Sequence, residues 1–181
     1  MAKRRNVTSA QSKPDETGWT PLIAAAGQGN VLAIQLLVDE GVDVNHGDVD
    51  GFTALMCAAG AGHADIVRLL ITKGSEVDRV DVCLRTALSW ALTKKDDVAT
   101  VNALLELGAN PNHIDGTGMT PLMRAALLKF PRSFAALLER GADSSLKHLP
   151  SGKTAVDMAV ESGDRALLDS VQGLKRKTQN R

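Results

Sequence analysis

One stretch of residues returns five times along this chain, and no other feature narrows the possible folds so far. Its fullest copy is Gly51 to Gly74, GFTALMCAAGAGHADIVRLLITKG. The copies are marked by Thr20, Thr53, Thr86, Thr120 and Thr154, spaced 33, 33, 34 and 34 residues apart. A fixed period of this length indicates small supersecondary units stacked into a solenoid, each unable to bury its apolar face alone. The 181 residues therefore divide into five units sharing one elongated core, with starts near residues 15, 48, 81, 115 and 149.

Within a unit, the Thr is a helix-start signal. In TPL, Thr20 can cap free N–H groups while Pro21 fills the first helical position, where an N–H has no partner. A short helix of small residues is expected over Pro21 to Ala26, ending at Gly27 and Gly29. A second follows over Val31 to Glu40, with Ile34, Leu37 and Val38 on one face and Leu36 beside them. Gly41, Gly74, Gly108 and Gly141 then stop the second helices, where a residue of positive φ suits a helix C-terminus. Segments rich in Asp, Asn and Gly, such as VDVNHGDVDGF and ANPNHIDGTGM, join the units as projecting hairpin-like loops. The core is expected to be close-packed, because the 44% hydrophobic content is drawn largely from Ala, Leu and Val, with three Phe, two Trp and no Tyr.

Two units depart from the pattern. In the third, Leu84 replaces the expected Gly and LTKKDDV carries one extra residue between the helices. In the fourth, Lys129 and Phe130 replace the Gly-His of the inter-helix loop, and Pro131 follows. Adaptation and neutral drift both produce such irregularity. The fifth unit offers Asp157, Glu161, Asp164 and Asp169 on its outer side, as a C-terminal cap requires. No comparable N-terminal cap is visible, so the first unit, with Gln35, Asp39 and Glu40 on its second helix, is expected to serve as its own. Residues 1–14 read as a polar, disordered tail and residues 173–181, ending in LKRKTQNR, as a basic C-terminal tail, leaving 15–172 as the repeat domain.

With TPLIAAAGQGN, TALMCAAGAGHADIVRLLITKG and TPLMRAALLKF in view, the chain resembles ankyrin-repeat proteins over roughly Asp15 to Gln172. The resemblance implies an all-α solenoid of five helix-loop-helix units. Their hairpins and first helices would form a concave surface that binds one or more partner proteins. The family's usual His after the Thr-Pro-Leu triplet is replaced by Ile23, Met56, Ser89, Met123 and Asp157, which makes three of the five positions apolar.

By the same analogy, contacts concentrate at the hairpin residue just before each Thr. These are Trp19, Phe52, Arg85, Met119 and Lys153, in slots expected to face solvent. Exposed aromatic and Met side chains favour burial of a partner's apolar groups. Arg85 and Lys153 point to acidic residues towards the other end of the partner. The alternative is that Trp19, Phe52 and Met119 pack against the neighbouring hairpin and stiffen it. Val49, Asp50, Val82, Thr117, Leu127 and Leu128 form a second tier. Of these, Leu127 and Leu128 could instead cover the Pro131 loop. LLVDEGVDVN and LLELGANPN are similar to sites at which ankyrin repeats are hydroxylated on Asn, which would make Asn45 and Asn112 modification sites.

Other chemistry finds little support. No nucleophile, base and orienting group can be assembled, so no enzyme activity and no cofactor are expected. His46, His63, His113 and His148 follow the repeat rather than a ligand spacing, and no Cys-x-x-Cys or helical His pair is present, so no metal is expected. Twenty-one basic and 21 acidic residues cancel, which argues against a nucleic-acid partner. No run of about 18 apolar residues is available for a membrane span. Cys57 and Cys83 read as reduced thiols, and the basic start lacks the apolar run of a secretory signal. A cytoplasmic protein is expected, monomeric by itself, with Lys3 to Arg5 and Lys175 to Lys177 able to direct nuclear import. The functional expectation is a non-catalytic adaptor, scaffold or inhibitor, and the alternative is a regulatory subunit of an enzyme, channel or transcription complex.

Overall fold

The computed structural model describes residues 14–179 of the chain. The Lys3 to Arg5 cluster, the tail expected before Pro14 and the side chains of Lys175 to Lys177 lie outside the described residues.

Ten helices run in five pairs: α1 (Pro21–Gln28) and α2 (Val31–Asp39); α3 (Ala54–Ala61) and α4 (Ala64–Thr72); α5 (Ala87–Ala91) and α6 (Val98–Glu106); α7 (Pro121–Leu127) and α8 (Pro131–Glu139); α9 (Ala155–Ser162) and α10 (Arg165–Gln179). Each marker Thr sits in extended backbone at the N-cap and accepts a hydrogen bond from the N–H three residues on, at 3.1 to 3.4 Å. This satisfies one of the free donors of each first helix, a contribution of about 1 kcal/mol per cap. The first helices stack on one another as one row, with α5 and α7 in the thinnest contact, and α4, α6, α8 and α10 form the second row.

The core follows from the repeat register. Leu22, Leu55, Leu88 and Leu122, two residues after the first four Thr, are fully buried. So are Ile23, Met56, Ser89 and Met123, the four buried replacements for the family's His. Asp157, the fifth, is exposed and closes a reciprocal capping box with Thr154. Ile34, Ile66, Val67, Leu70, Val101, Leu104, Phe134 and Leu137 complete the core from the second helices. On the outer side of that row, Glu106 accepts from Arg68 at 2.5 Å and from Arg140 at 3.0 Å, tying three units together.

Two boundaries differ from the sequence expectation. Helix α1 does not stop before Gly27 but runs through it to Gln28. Gly27 is there for proximity: a Cβ on it would meet Cys57 Sγ at 2.8 Å, so Gly lets α1 lie this close to α3 without the Cys57 thiol turning aside. At the other end, α10 continues through Gly173 to Gln179, where a basic tail without periodicity is the expectation. A Gly inside a helix costs about 1 kcal/mol, which weakens a helix without breaking it. Of the acids read as a C-terminal cap, Asp157 and Asp164 have local work as well, since Asp164 caps α10 through Leu167 N–H.

The two irregular units compensate for each other. The extra residue before α6 lets Asp96 reach forward to the start of α8. There its carboxylate accepts from Arg132 N–H (2.9 Å), Ser133 N–H (2.8 Å) and the Ser133 hydroxyl (2.5 Å). Helix α8 has Phe130 at its N-cap and no cap of its own, so the insertion in the third unit supplies what the fourth lacks.

Candidate interaction face

The hairpins are built on a repeated carboxylate. Asp15, Asp48, Asp81 and Asp115 each lie five residues before the marker Thr. In each, Oδ1 accepts the N–H groups two and four residues on, at 2.8 to 3.2 Å. The turn is closed by the Asp, as short polar side chains close Asx turns. In the fifth hairpin, one residue longer, His148 stands in the place of the Asp. The hairpin tips are laced together: Val49, Val82 and Gly116 donate their N–H groups to the Thr17, Asp50 and Cys83 carbonyls at 2.8 to 3.0 Å. His148 Nε2 meets the Thr117 carbonyl at 3.1 Å in the same position. Two further histidines bridge units in the same way, His63 on the Gly27 carbonyl and His113 on the Leu84 carbonyl.

This scaffold sets the residue before each Thr beside its neighbour. Trp19 and Phe52 stack with ring centroids 6.0 Å apart and planes 14° from parallel. Phe52 then meets Trp90 edge-on at 4.8 Å and 73°. The Arg85 guanidinium lies 3.9 Å above the Trp90 ring. Asp81, buried, binds both: Arg85 by paired contacts at 2.9 Å and the Trp90 indole N–H at 3.1 Å. Such aromatic and cation–π contacts contribute about 0.5–1.5 kcal/mol each beyond area burial. They fix three rings and one cation in a single continuous array.

Of the slots expected to face solvent, only Trp19 is exposed, at 37%. Phe52, Arg85, Met119 and Lys153 are half-buried, Phe52 against the rings of both neighbouring units and Arg85 and Lys153 against partners in their own. Their charges are also committed. Arg85 pairs with Asp81 and Lys153 with Glu161 at 2.6 Å, so neither offers the free positive charge expected for an acidic partner. Arg124 is engaged in the same way by Asp115. Burial pushes the Asp115 carboxyl up, but the hydrogen bonds it accepts from the Thr117 hydroxyl, Arg124 and the Thr117 and Met119 N–H groups outweigh burial. It is held below its ordinary 3.8.

Among the second-tier residues, Val49, Val82, Leu127 and Leu128 are exposed, as are Asp50 and Thr117. Leu127 and Leu128 lie at the end of α7, on the loop edge of the molecule, away from the aromatic array at the hairpins. Asn45 and Asn112 act as clamps. Asn45 donates to the Gly74 carbonyl (3.0 Å) and accepts from Glu76 N–H (2.8 Å), while Asn112 does the same with Gly141 (3.4 Å) and Asp143 (2.7 Å). Both amides hold neighbouring units together. Cys57 is half-buried, and burial pushes its thiol up against the opposing charge of Lys94.

Trp90, Asp81, Asp115 and Arg124 are absent from the residues picked out by sequence. The signal that finds them is the register: an Asp at the same place before four of the five Thr, and Trp90 and Arg124 four residues after theirs. Among the described residues no three His, Cys, Asp or Glu side chains gather in a metal-holding group, and no helix is long and apolar enough to cross a membrane.

Comparison with known proteins agrees with this architecture. A family model described as ankyrin repeats (3 copies) matches residues 4–81, and one described as ankyrin repeats (many copies) matches residues 88–128. A curated relative, Palmitoyltransferase AKR1 of Candida albicans, is 35% identical over 77 residues. The shared segment is 42% of this chain and spans only 9% of that relative.

Proposed function

Because this chain belongs to the ankyrin-repeat family, whose repeats are generally non-catalytic interaction modules, we propose that it is a protein-binding module, an adaptor, scaffold or inhibitor. It holds a protein partner against its hairpins and first helices. The observation that carries this reading is the Trp19–Phe52–Trp90–Arg85 array. The chain has only five aromatic residues, and three of them, including both tryptophans, meet here at a partly open surface. Rings that are fixed before binding lose little freedom on association, and Trp and Arg are the side chains most enriched at energetic centres of interfaces.

The paired state of Arg85, Arg124 and Lys153 gives the contact its character. A partner gains little by offering carboxylates to cations that already have them, so apolar groups seated on Trp19 and Phe52 supply the affinity. The likeness to the palmitoyltransferase covers too little of that protein to bring an acyl-transfer activity to this chain.

The test is affinity capture from host lysate with the native chain and with Trp19→Ala, whose exposed side chain can be truncated without opening the core. A partner retained by the native chain and lost from a folded Trp19→Ala variant supports the reading. Equal retention by both overturns it.

A further inference from the structure

The loop edge of the fourth unit carries side chains that no other unit has. At the last two positions of the first helix and its extension, the other units place Gly27 and Gln28, Gly60 and Ala61, Thr93 and Lys94, and Glu161 and Ser162. The fourth places Leu127 and Leu128, exposed at 57% and 39%. The next residue, Lys129, sits at φ 56°, in the left-handed position that Gly29, Gly62 and Gly163 occupy in other units. An L residue there is disfavoured by about 1–2 kcal/mol, and such strain is found where a side chain has work to do.

The surroundings are cationic. Lys94 occupies, one unit earlier, the register of Leu128, and Arg132 follows Lys129 on the first turn of α8. The contacts from Asp96 to Arg132 and Ser133 hold the two loops side by side. Lys94, Lys129 and Arg132 are exposed and make no ion pair among the described residues. The acids nearby are all occupied: Asp96 by the start of α8, Asp97 by the cap of α6 and by Lys95, and Glu161 by Lys153. On the hairpin side, by contrast, Arg85, Arg124 and Lys153 all have carboxylates.

We infer that Leu127 and Leu128, followed in the chain by Lys129 and Arg132 and matched in register by Lys94 one unit earlier, form a second docking surface, separate from the aromatic array, for an acidic segment of a partner protein that carries large apolar side chains. The two leucines give that segment an apolar seat. The three free cations give it charge complementarity, which sets orientation and speeds encounter. A purely apolar occupant would leave the cations unused, and a purely acidic one would leave the leucines in water.

Selection of random dodecapeptides on the full chain tests this. Enriched sequences are then titrated by fluorescence anisotropy against the wild type, Lys129→Gly and Leu127→Ser. The expected result is enrichment in Asp or Glu together with Leu, Ile or Phe, and binding weakened about tenfold or more in both variants, the loss expected for one charge-assisted or apolar contact. Lys129→Gly relieves the left-handed backbone, so that variant is expected to melt at or above the wild-type temperature, which separates lost binding from lost folding. Enriched peptides that are neutral or basic, or affinities unchanged within about twofold in both variants, overturn the inference. Patch-dependent binding of phosphatidylserine vesicles or duplex DNA in place of these peptides overturns it equally.

Discussion

The first two units and the next two solve the same folding problem with different freedom. In the first two, every left-handed position is a Gly, the loops have the regular length, and Asp15 and Asp48 are hydrogen-bonded only within their own turns. In the third and fourth, Leu84 and Lys129 take left-handed backbone, a loop is one residue longer, and Asp81 and Asp115 reach from their turns to Trp90, Arg85 and Arg124. The regular pair shows what the fold alone requires. The irregular pair shows where side chains have been recruited beyond it, linking the hairpin turns to the face of the first helices.

The comparison predicts unequal costs for the same substitution. Asp115→Ala removes four acceptor contacts and leaves Arg124 half-buried and unpaired, so it is expected to cost about 3 kcal/mol, the range seen when one partner of a buried pair is lost. Asp48→Ala, which breaks only a turn, should cost about 1 kcal/mol. Urea unfolding of both variants measures the difference, and equal costs would erase the distinction. Acid offers the same test without mutation. The Asp115 carboxyl is depressed in the folded chain, so its stabilisation is complete above the unfolded value near 3.8 and is lost as pH falls through the lower folded value. Thermal melts from pH 5 to pH 2 should therefore show a loss of stability below about pH 4 that is smaller in Asp115→Asn.

A step down in size, Asp96→Ala should cost about 2 kcal/mol, the upper end for a helix cap, and hydrogen exchange should quicken first at the start of α8 rather than in Asp96's own unit. In the opposite direction, Asp78 takes the place of the clamp residues Asn45 and Asn112. It accepts from Asn110 N–H but, as a carboxylate, cannot donate to the Gly108 carbonyl. Asp78→Asn should supply that bond and stabilise the chain by about 1 kcal/mol. The smallest effect is Leu84→Gly, where relief of left-handed strain is partly offset by the entropy of Gly. A gain of about 0.5 kcal/mol is expected in the same unfolding assay.

How far the sequence carries can be judged at particular residues. The repeat period, the Thr caps and the apolar stripe of Ile34, Leu37 and Val38 are local, periodic signals, and they locate the helix pairs. Helix ends were less legible where packing outweighs propensity. Gly27 reads as a stop, yet it is inside α1, where a Cβ would crowd the Cys57 thiol at 2.8 Å. The character of the interaction face depends on contacts about 30 residues apart in sequence. Phe52 can be picked out as an aromatic in a hairpin slot. Its place between Trp19 and Trp90 depends on the stacking of three units. The Asp96 cap lies within the loop that reads as irregular, and its purpose becomes visible only with α8 beside it.

The central claim, that a partner is held on the aromatic array, has a built-in probe, since Trp19 and Trp90 are the chain's two tryptophans. Titrating the captured partner, or a fragment of it free of Trp, while following tryptophan emission and independently confirming saturation by anisotropy is the most direct measurement. The account predicts a shift of emission to shorter wavelength as water leaves Trp19, with the change abolished in Trp19→Phe. Saturating binding with unchanged emission would contradict it.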